Sequence, residues 1–210
     1  MQAAAEGSNR DSSRRESSLT LEPGTLVRAQ RGDLEAFRRL IEVFERPIQR
    51  TVYRLVGYRH EFEVEDICQE IFLRVFKSLA QFDSTRGTKL SSWIFTFVKN
   101  YCFDVLKRRR LPTVSIDGGD AESGPIPIED PVQSPLHQVE GRELQDIIAD
   151  AVMQLPRDQR LAFVLREYEG LSYAEISEIS ETNEGTVKSR IHRAKEALRL
   201  RLQRLAEELG

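Results

Sequence analysis

The stretch from Leu155 to Arg204, LPRDQRLAFVLREYEGLSYAEISEISETNEGTVKSRIHRAKEALRLRLQR, decides how the rest of the chain is read. Ser172 followed by Glu175 is a capping box, in which the Ser hydroxyl accepts the N3 amide and the Glu side chain reaches back to the cap amide. A helix is therefore expected to start at Tyr173, with Ala174, Ile176 and Ile179 on its buried side. The polar run Ser180 to Asn183 interrupts the pattern, and Asn183 is a good N-cap for a second helix. Periodicity then resumes with Val187, Ile191, Ala194, Leu198, Leu202 and Leu205, a helical spacing. Two helices and a short turn make the outline of a helix-turn-helix.

Between Glu184 and Arg204 stand seven Lys or Arg residues (188, 190, 193, 195, 199, 201 and 204) and one His against two Glu, in a chain of formal net charge −3. The positive charge is thus concentrated off the apolar stripe. In a helix-turn-helix the first turns of the second helix enter the major groove, which makes Glu184, Thr186, Lys188, Ser189, Arg190 and Arg193 the candidates for DNA contact. Arg reads guanine with two parallel hydrogen bonds, whereas Lys and Ser more often hold phosphate. The plain alternative is a terminal amphipathic helix with a solvated basic face.

EGTVKSRIHRAKEALR, preceded by LP, a helix and LSYAEISEI, resembles region 4 of the sigma-70 family of bacterial transcription initiation factors, in its extracytoplasmic-function (ECF, group IV) branch. The resemblance implies binding of the minus-35 promoter element by Thr186, Lys188, Ser189, Arg190 and Arg193. Two positions depart from the family pattern: Glu181 stands where Gly is usual in the turn, and Thr182 where an apolar residue is usual. Any positive φ there must then be taken by a residue with a Cβ.

Composition sets the remaining frame. The 210 residues allow one or two domains, and 40% hydrophobic with 31% charged residues fits a soluble globular chain. No window approaches the roughly 20 apolar residues needed to cross a bilayer. The amino-terminal MQAAAEGSNRDSSRRESS lacks a signal-peptide core and reads as part of a disordered tail over 1–23, so a cytoplasmic location is expected. Cys68 and Cys102 fall inside apolar helical patterns and read as buried free thiols. With His60, His137 and His192 scattered, no catalytic constellation, phosphate loop or metal cluster is visible, so neither enzymatic activity nor a metal or other cofactor is expected.

Upstream, Gly24 to Gly32 reads as a short helix, and Asp33 caps a longer one with Phe37, Leu40, Ile41, Phe44, Ile48, Val52 and Leu55 in register. Pro47 is expected to kink that helix, or to end one and start another. The next helix buries Val64, Ile67, Cys68, Ile71, Phe72, Val75 and Leu79, and its other face is either solvated or a docking surface. EDICQEIFLRVFKSL resembles region 2.2 of the same family. The resemblance implies docking on core RNA polymerase, at the β′ clamp helices, by Asp66, Gln69, Glu70, Leu73 and Phe76, with a further contact to the β subunit.

FDSTRGTKL reads as a loop before SSWIFTFVKNYCFDVLKRRR, where five of the sixteen aromatics fall within eleven residues. Ile94, Phe97, Val98, Tyr101, Cys102 and Val105 can share one stripe, leaving Trp93, Phe95 and Phe103 on the flanks. Spacing alone leaves open a core helix with a basic end or a platform for unstacked bases, each worth roughly 1–3 kcal/mol when stacked. The segment is similar to regions 2.3 and 2.4 of the family, which implies that Lys89, Trp93, Lys99, Asn100, Asp104 and Arg108 face the minus-10 element and assist melting.

The expected organisation is all-α, with a region 2 helical bundle at 24–111, an acidic proline-rich linker at 112–137 and a region 4 unit at 138–206. The partners implied by the resemblance are core RNA polymerase, promoter DNA and an anti-sigma factor, with no direct insertion into a membrane. A two-domain DNA-binding regulator is the competing expectation. It differs in predicting tight operator binding without polymerase.

Overall fold

A computed structural model of the chain describes residues 21–57, 61–110 and 147–209. The tail up to residue 20, the linker and residues 138–146 of the second unit, with His60 and His137, lie outside these residues. Among the described residues every regular element is helical, as the periodicities require.

The first unit begins with α1 (Thr25–Gln30) and α2 (Leu34–Val56). Asp33 caps α2 by accepting from the Ala36 amide at 3.1 Å, and Arg28 donates to its other oxygen at 2.8 Å. The hydrogen bond from Arg28 holds the Asp33 carboxyl below its ordinary range. α2 runs unbroken through Pro47, so the proline neither ends one helix nor begins another. Phe44, Ile48, Thr51 and Val52 are all fully buried around it, and tertiary packing outweighs one missing amide donor.

α3 (Glu61–Ser78) passes into a 3₁₀ turn at Leu79–Gln81, and a second turn at Ser84–Arg86 precedes α4 (Leu90–Arg110). The Gln30 side chain fastens α1 to this corner by donating to the carbonyls of Leu79 at 3.1 Å and Phe82 at 2.6 Å. α2, α3 and α4 pack on one another around Leu40, Phe44, Ile48, Ile71, Val75 and Ile94. Cys68 and Cys102 are buried free thiols, and burial, reinforced by Glu45 and Glu65, pushes Cys68 up to about 12.

The second unit comprises α5 (residues 147–153), α6 (Arg157–Glu167), α7 (Tyr173–Ser180) and α8 (Glu184–Leu209). Pro156 occupies the N-cap of α6, with an extended ψ of 137°. α8 lies across α6 and α7, burying Val187, Ile191, Ala194 and Leu198; beyond these neighbours Leu202 and Leu205 are only half-buried. On α7, Ile176 and Ile179 are fully buried while Ala174 is exposed, contrary to its expected place; buried Glu175 takes the cap-side position instead.

The two units touch along two seams, α6 on α2 and α7 on α4. In the first, Thr51 donates to the buried Glu169 at 3.0 Å, Arg54 lies 3.8 Å over the Tyr168 ring, and Gly57 faces Met153. Gly57 has φ +100°, a conformation that requires glycine; a Cβ there would also come within 2.8 Å of the Met153 methyl, the end of a flexible side chain that would have to shift. The second seam corrects the stripe expected for α4. Phe95 is not on a flank but fully buried, whereas Phe97, Tyr101 and Val105 are only half-buried. Ser92, Phe95, Lys99 and Phe103, spaced by 3, 4 and 4, form a second row, and α4 has helices against it on two sides.

Candidate nucleic-acid interface

The turn between α7 and α8 is built from local signals. Both halves of the capping box are present: Ser172 Oγ accepts the Glu175 amide at 3.2 Å, and the Glu175 carboxylate accepts the Ser172 amide at 2.8 Å. Glu181 closes α7 in the left-handed region, φ 52° and ψ 47°, and is the one non-glycine residue with positive φ among those described. The Thr182 amide then donates to the Ser177 carbonyl at 3.0 Å, which satisfies an orphan end of the helix. Asn183 caps α8 by accepting the Thr186 amide at 2.8 Å.

This fixes the first turns of α8 with their polar side outward. Glu184, Lys188, Ser189 and Arg193 are exposed, and Thr186 and Arg190 are half-buried. Lys188 lies 3.9 Å from Glu184 and 5.4 Å above the Tyr173 ring; Arg190 lies 3.9 Å from Asp158 on α6. Both contacts are long enough to be exchanged for phosphate at small cost. The five candidate minus-35 residues therefore lie on the polar side of a single helix, three of them exposed and two half-buried.

α4 presents its candidates differently. Trp93 is half-buried, packed between Phe82 and Phe97 with ring centroids 5.1 and 4.8 Å away. Asn100, Asp104 and Arg108 are exposed, but Lys99 is 8% exposed and does not face solvent. Its ammonium donates to Glu181 at 2.6 Å, and Lys89 lies 3.2 Å from Glu175. Two of the six candidate minus-10 residues are thus held by carboxylates of α7.

Beside Asn100 the surface opens into a depression of about 320 Å³ lined by Arg74, Lys77, Ser78, Phe97 and Asn100. An aromatic wall, an amide and two cations suit a single unstacked base with its phosphate. Sequence reading reached Asn100 but not Arg74, Lys77, Ser78 or Phe97, because the wall combines the end of α3 with the middle of α4. Arg74 stacks 4.6 Å over Tyr101 and bonds Glu70, one turn earlier, at 3.0 Å, which couples this depression to the adjoining polar face of α3.

On that face Asp66 and Gln69 are exposed and Glu70 is half-buried. Leu73 and Phe76 stand beside them, 51% and 37% exposed, although the opposite stripe of α3 is buried. Phe76 rests edge-on against Phe37 at 4.8 Å and is therefore held in place while open to solvent. Among the described residues there is no cluster of His, Cys, Asp and Glu able to hold a metal, and no helix long and apolar enough to cross a membrane.

Comparison with known proteins matches residues 40–111 to Sigma-70 region 2 and residues 145–198 to Sigma-70, region 4. The chain is 32% identical over 184 residues to the ECF RNA polymerase sigma factor SigW of Bacillus subtilis, covering 86% of this chain and 96% of the relative. It is 36% identical over 185 residues to the RNA polymerase sigma-H factor of Pseudomonas aeruginosa, covering 86% and 93%. In fold it is similar to the sigma factor RpoE from Bartonella quintana, solved in complex with the anti-sigma factor NepR, with a TM-score of 0.57 and 21% identity over 80% of this chain and 96% of that one. By these two regions, in this order and over nearly the whole length of its relatives, the chain belongs to the sigma-70 family and is a homologue of the ECF RNA polymerase sigma factors.

Proposed function

We propose that the chain is a group IV ECF sigma factor that acts in the cytoplasm, has no catalytic activity of its own and directs core RNA polymerase to its promoters. The observation that carries the reading is the α3 face, where Leu73 and Phe76 stay open beside Asp66, Gln69 and Glu70. An anchored apolar pair left open beside two acids and an amide suits a surface that docks on the β′ clamp helices; a DNA-binding regulator that used the same pair to dimerise would bind its operator tightly without polymerase. The unit at 24–111 then holds polymerase and the minus-10 element, and the unit at 138–206 the minus-35 element and the β subunit.

Thr186, Lys188, Ser189, Arg190 and Arg193 read the minus-35 element from the major groove, Arg by base edges and Lys and Ser by phosphate. The depression next to Asn100 accepts one flipped base, with Phe97 offering a ring face and Arg74 and Lys77 the neighbouring phosphate. Trp93 and Arg108 flank that path, Asp104 offers an acceptor for a base amino group, and Lys89 and Lys99 supply further phosphate contacts. Unstacking one base costs a few kcal/mol, which polymerase docking must offset. An anti-sigma factor restrains the chain, as the partner of the Bartonella protein suggests.

The test is run-off transcription by purified core polymerase with and without the protein, on genomic fragments that include the region upstream of its own gene. Starts that depend on the protein are expected; their absence, together with tight binding of the protein alone to one fragment, would establish the regulator instead. Arg190→Ala and Arg193→Ala should weaken promoter-directed transcription and leave polymerase affinity unchanged. Asp66→Arg should do the reverse, lowering polymerase affinity while the second unit still folds.

A further inference from the structure

α2 carries a second basic surface, apart from both helices proposed to face DNA. Its cations are all Arg, and four of them, Arg39, Arg46, Arg50 and Arg54, fall within about a quarter of the helix circumference. The last three stand at successive i,i+4 steps, roughly 6 Å apart, and the whole ridge is about 22 Å long. Phe37 packs on Phe76, and the charge of Glu45 reaches Cys68, so α3 lies on the flank of α2 across from the arginines. Docking of polymerase on α3 therefore leaves the ridge open.

A merely solvated helix surface interleaves acids with bases so that i,i+4 pairs form, and like charges at that spacing weaken the helix. On this ridge only Arg39 meets a carboxylate, Glu35 at 3.6 Å. Arg46, Arg50 and Arg54 have no ion pair among the described residues, although Glu42 stands one turn before Arg46. Arg39 and Arg46 are exposed, whereas Arg50 is half-buried with its Nε shut off from solvent and from any acceptor. Arg54 donates to the Arg50 carbonyl at 3.3 Å and stacks 3.8 Å over the Tyr168 ring of α6. A line of planar, partly restrained donors suits a partner whose negative charge also recurs along a line, and the guanidinium fork matches phosphate oxygens two at a time. The duplex that joins the two promoter elements must pass from the first unit to the second, and the ridge runs along the first unit to their seam at Arg54.

We propose that the α2 arginine ridge is a sequence-independent track for the phosphate backbone of duplex DNA, separate from the minus-10 and minus-35 surfaces. That the DNA held there is promoter DNA outside the two elements rests on the sigma reading; the phosphate track itself does not.

The test is binding of the full-length chain to a mixed-sequence duplex without polymerase, followed upward from low salt. Each phosphate contact removed should reduce the magnitude of the slope of log affinity against log salt by about 0.9. Arg46→Gln should show one such step, and Arg46→Gln combined with Arg50→Gln two. Arg31→Gln combined with Arg38→Gln removes the same charge from exposed positions off the ridge and should leave the slope unchanged. Arg46 is exposed, so its replacement leaves the fold intact, and an unchanged slope in Arg46→Gln would overturn the track whatever Arg50→Gln does to stability. Equal reductions in the two double variants would show that only net charge is felt, and would overturn it as well. An intact DNA slope with lowered affinity for core polymerase would assign the ridge to a protein partner instead. No polymerase enters the DNA measurement, so failure of run-off transcription would count against the sigma reading and not against the ridge.

Discussion

α8 and α4 are both basic amphipathic helices proposed to face DNA, yet they are built on opposite plans. α8 has neighbours on one side only, and its stripe of Val187, Ile191, Ala194 and Leu198 leaves the rest of the cylinder to solvent. α4 has α2 and α3 on one side and α7 on the other, so its free surface shrinks to the arc carrying Asn100, Asp104 and Arg108. A helix with one neighbour shows its polar residues by default. A helix with neighbours on two sides shows only what the second does not cover.

The largest way to break this contrast is at Phe95. A side chain closed in from two sides leaves a cavity that neither neighbour can fill alone, so Phe95→Ala should cost about 3–5 kcal/mol of stability in urea unfolding. Phe97→Ala, half-buried on the wall of the depression, should cost clearly less while weakening promoter opening. Equal losses from the two would show that the second row of α4 is not a core.

Next come the caps of the other plan. Ser172→Ala and Asn183→Ala should each remove about 1 kcal/mol, the usual value of an N-cap. Thermal unfolding should show the greater loss for Ser172→Ala. There the Glu175 carboxylate loses its reciprocal partner and with it the placement of the Lys89 contact, whereas Asn183 serves α8 alone.

A smaller effect separates the seam from the reading face by pH. Burial tends to raise the Glu175 carboxyl, but hydrogen bonds from Ser172 and Lys89 more than offset this and leave it below its ordinary 4.5. The hydrogen bond from Lys99 lowers Glu181 likewise. Both folded-state values are depressed, so their contribution is fully present above about 4.5, the unfolded value, and is lost as pH falls through the folded values. Trp93 is the only tryptophan and lies four residues from Lys89, so its emission should change in that acid range before the helical signal of α8 is lost. Simultaneous loss of both signals would mean that the seam and the second unit are one cooperative element.

These contrasts also explain what was legible in the sequence. The caps at Asp33, Ser172 and Asn183, the stripe of α3, the stripe of α8 as far as Leu198 and the buried cysteines arise from signals within four residues, and the structure has them. Phe95, Lys99 and Ala174 were not legible, because their burial or exposure depends on which helix of the other unit lies alongside. Pro47 belongs with them: a local rule favours a break, and packing from both sides of α2 overrules it. The depression at Asn100 joins α3 and α4 residues 19 to 26 positions apart and has no local signature.

The smallest effect marks where the reading face of α8 ends. Arg199 pairs with Glu196 at 3.2 Å and bonds Gln203 at 3.0 Å, all on an exposed surface, and such pairs contribute about 0–1 kcal/mol. Arg199→Ala should therefore leave stability within about 0.5 kcal/mol. It lies nearly two turns beyond Arg193, past the part of a recognition helix that enters the groove. The slope of polymerase-assisted promoter affinity against salt should be unchanged in Arg199→Ala, and reduced in magnitude by about one in Lys188→Ala, as removal of one phosphate contact requires. A reduced slope in both variants would extend the DNA path along α8, and the long basic helix, rather than its first turns, would then be the unit that meets the promoter.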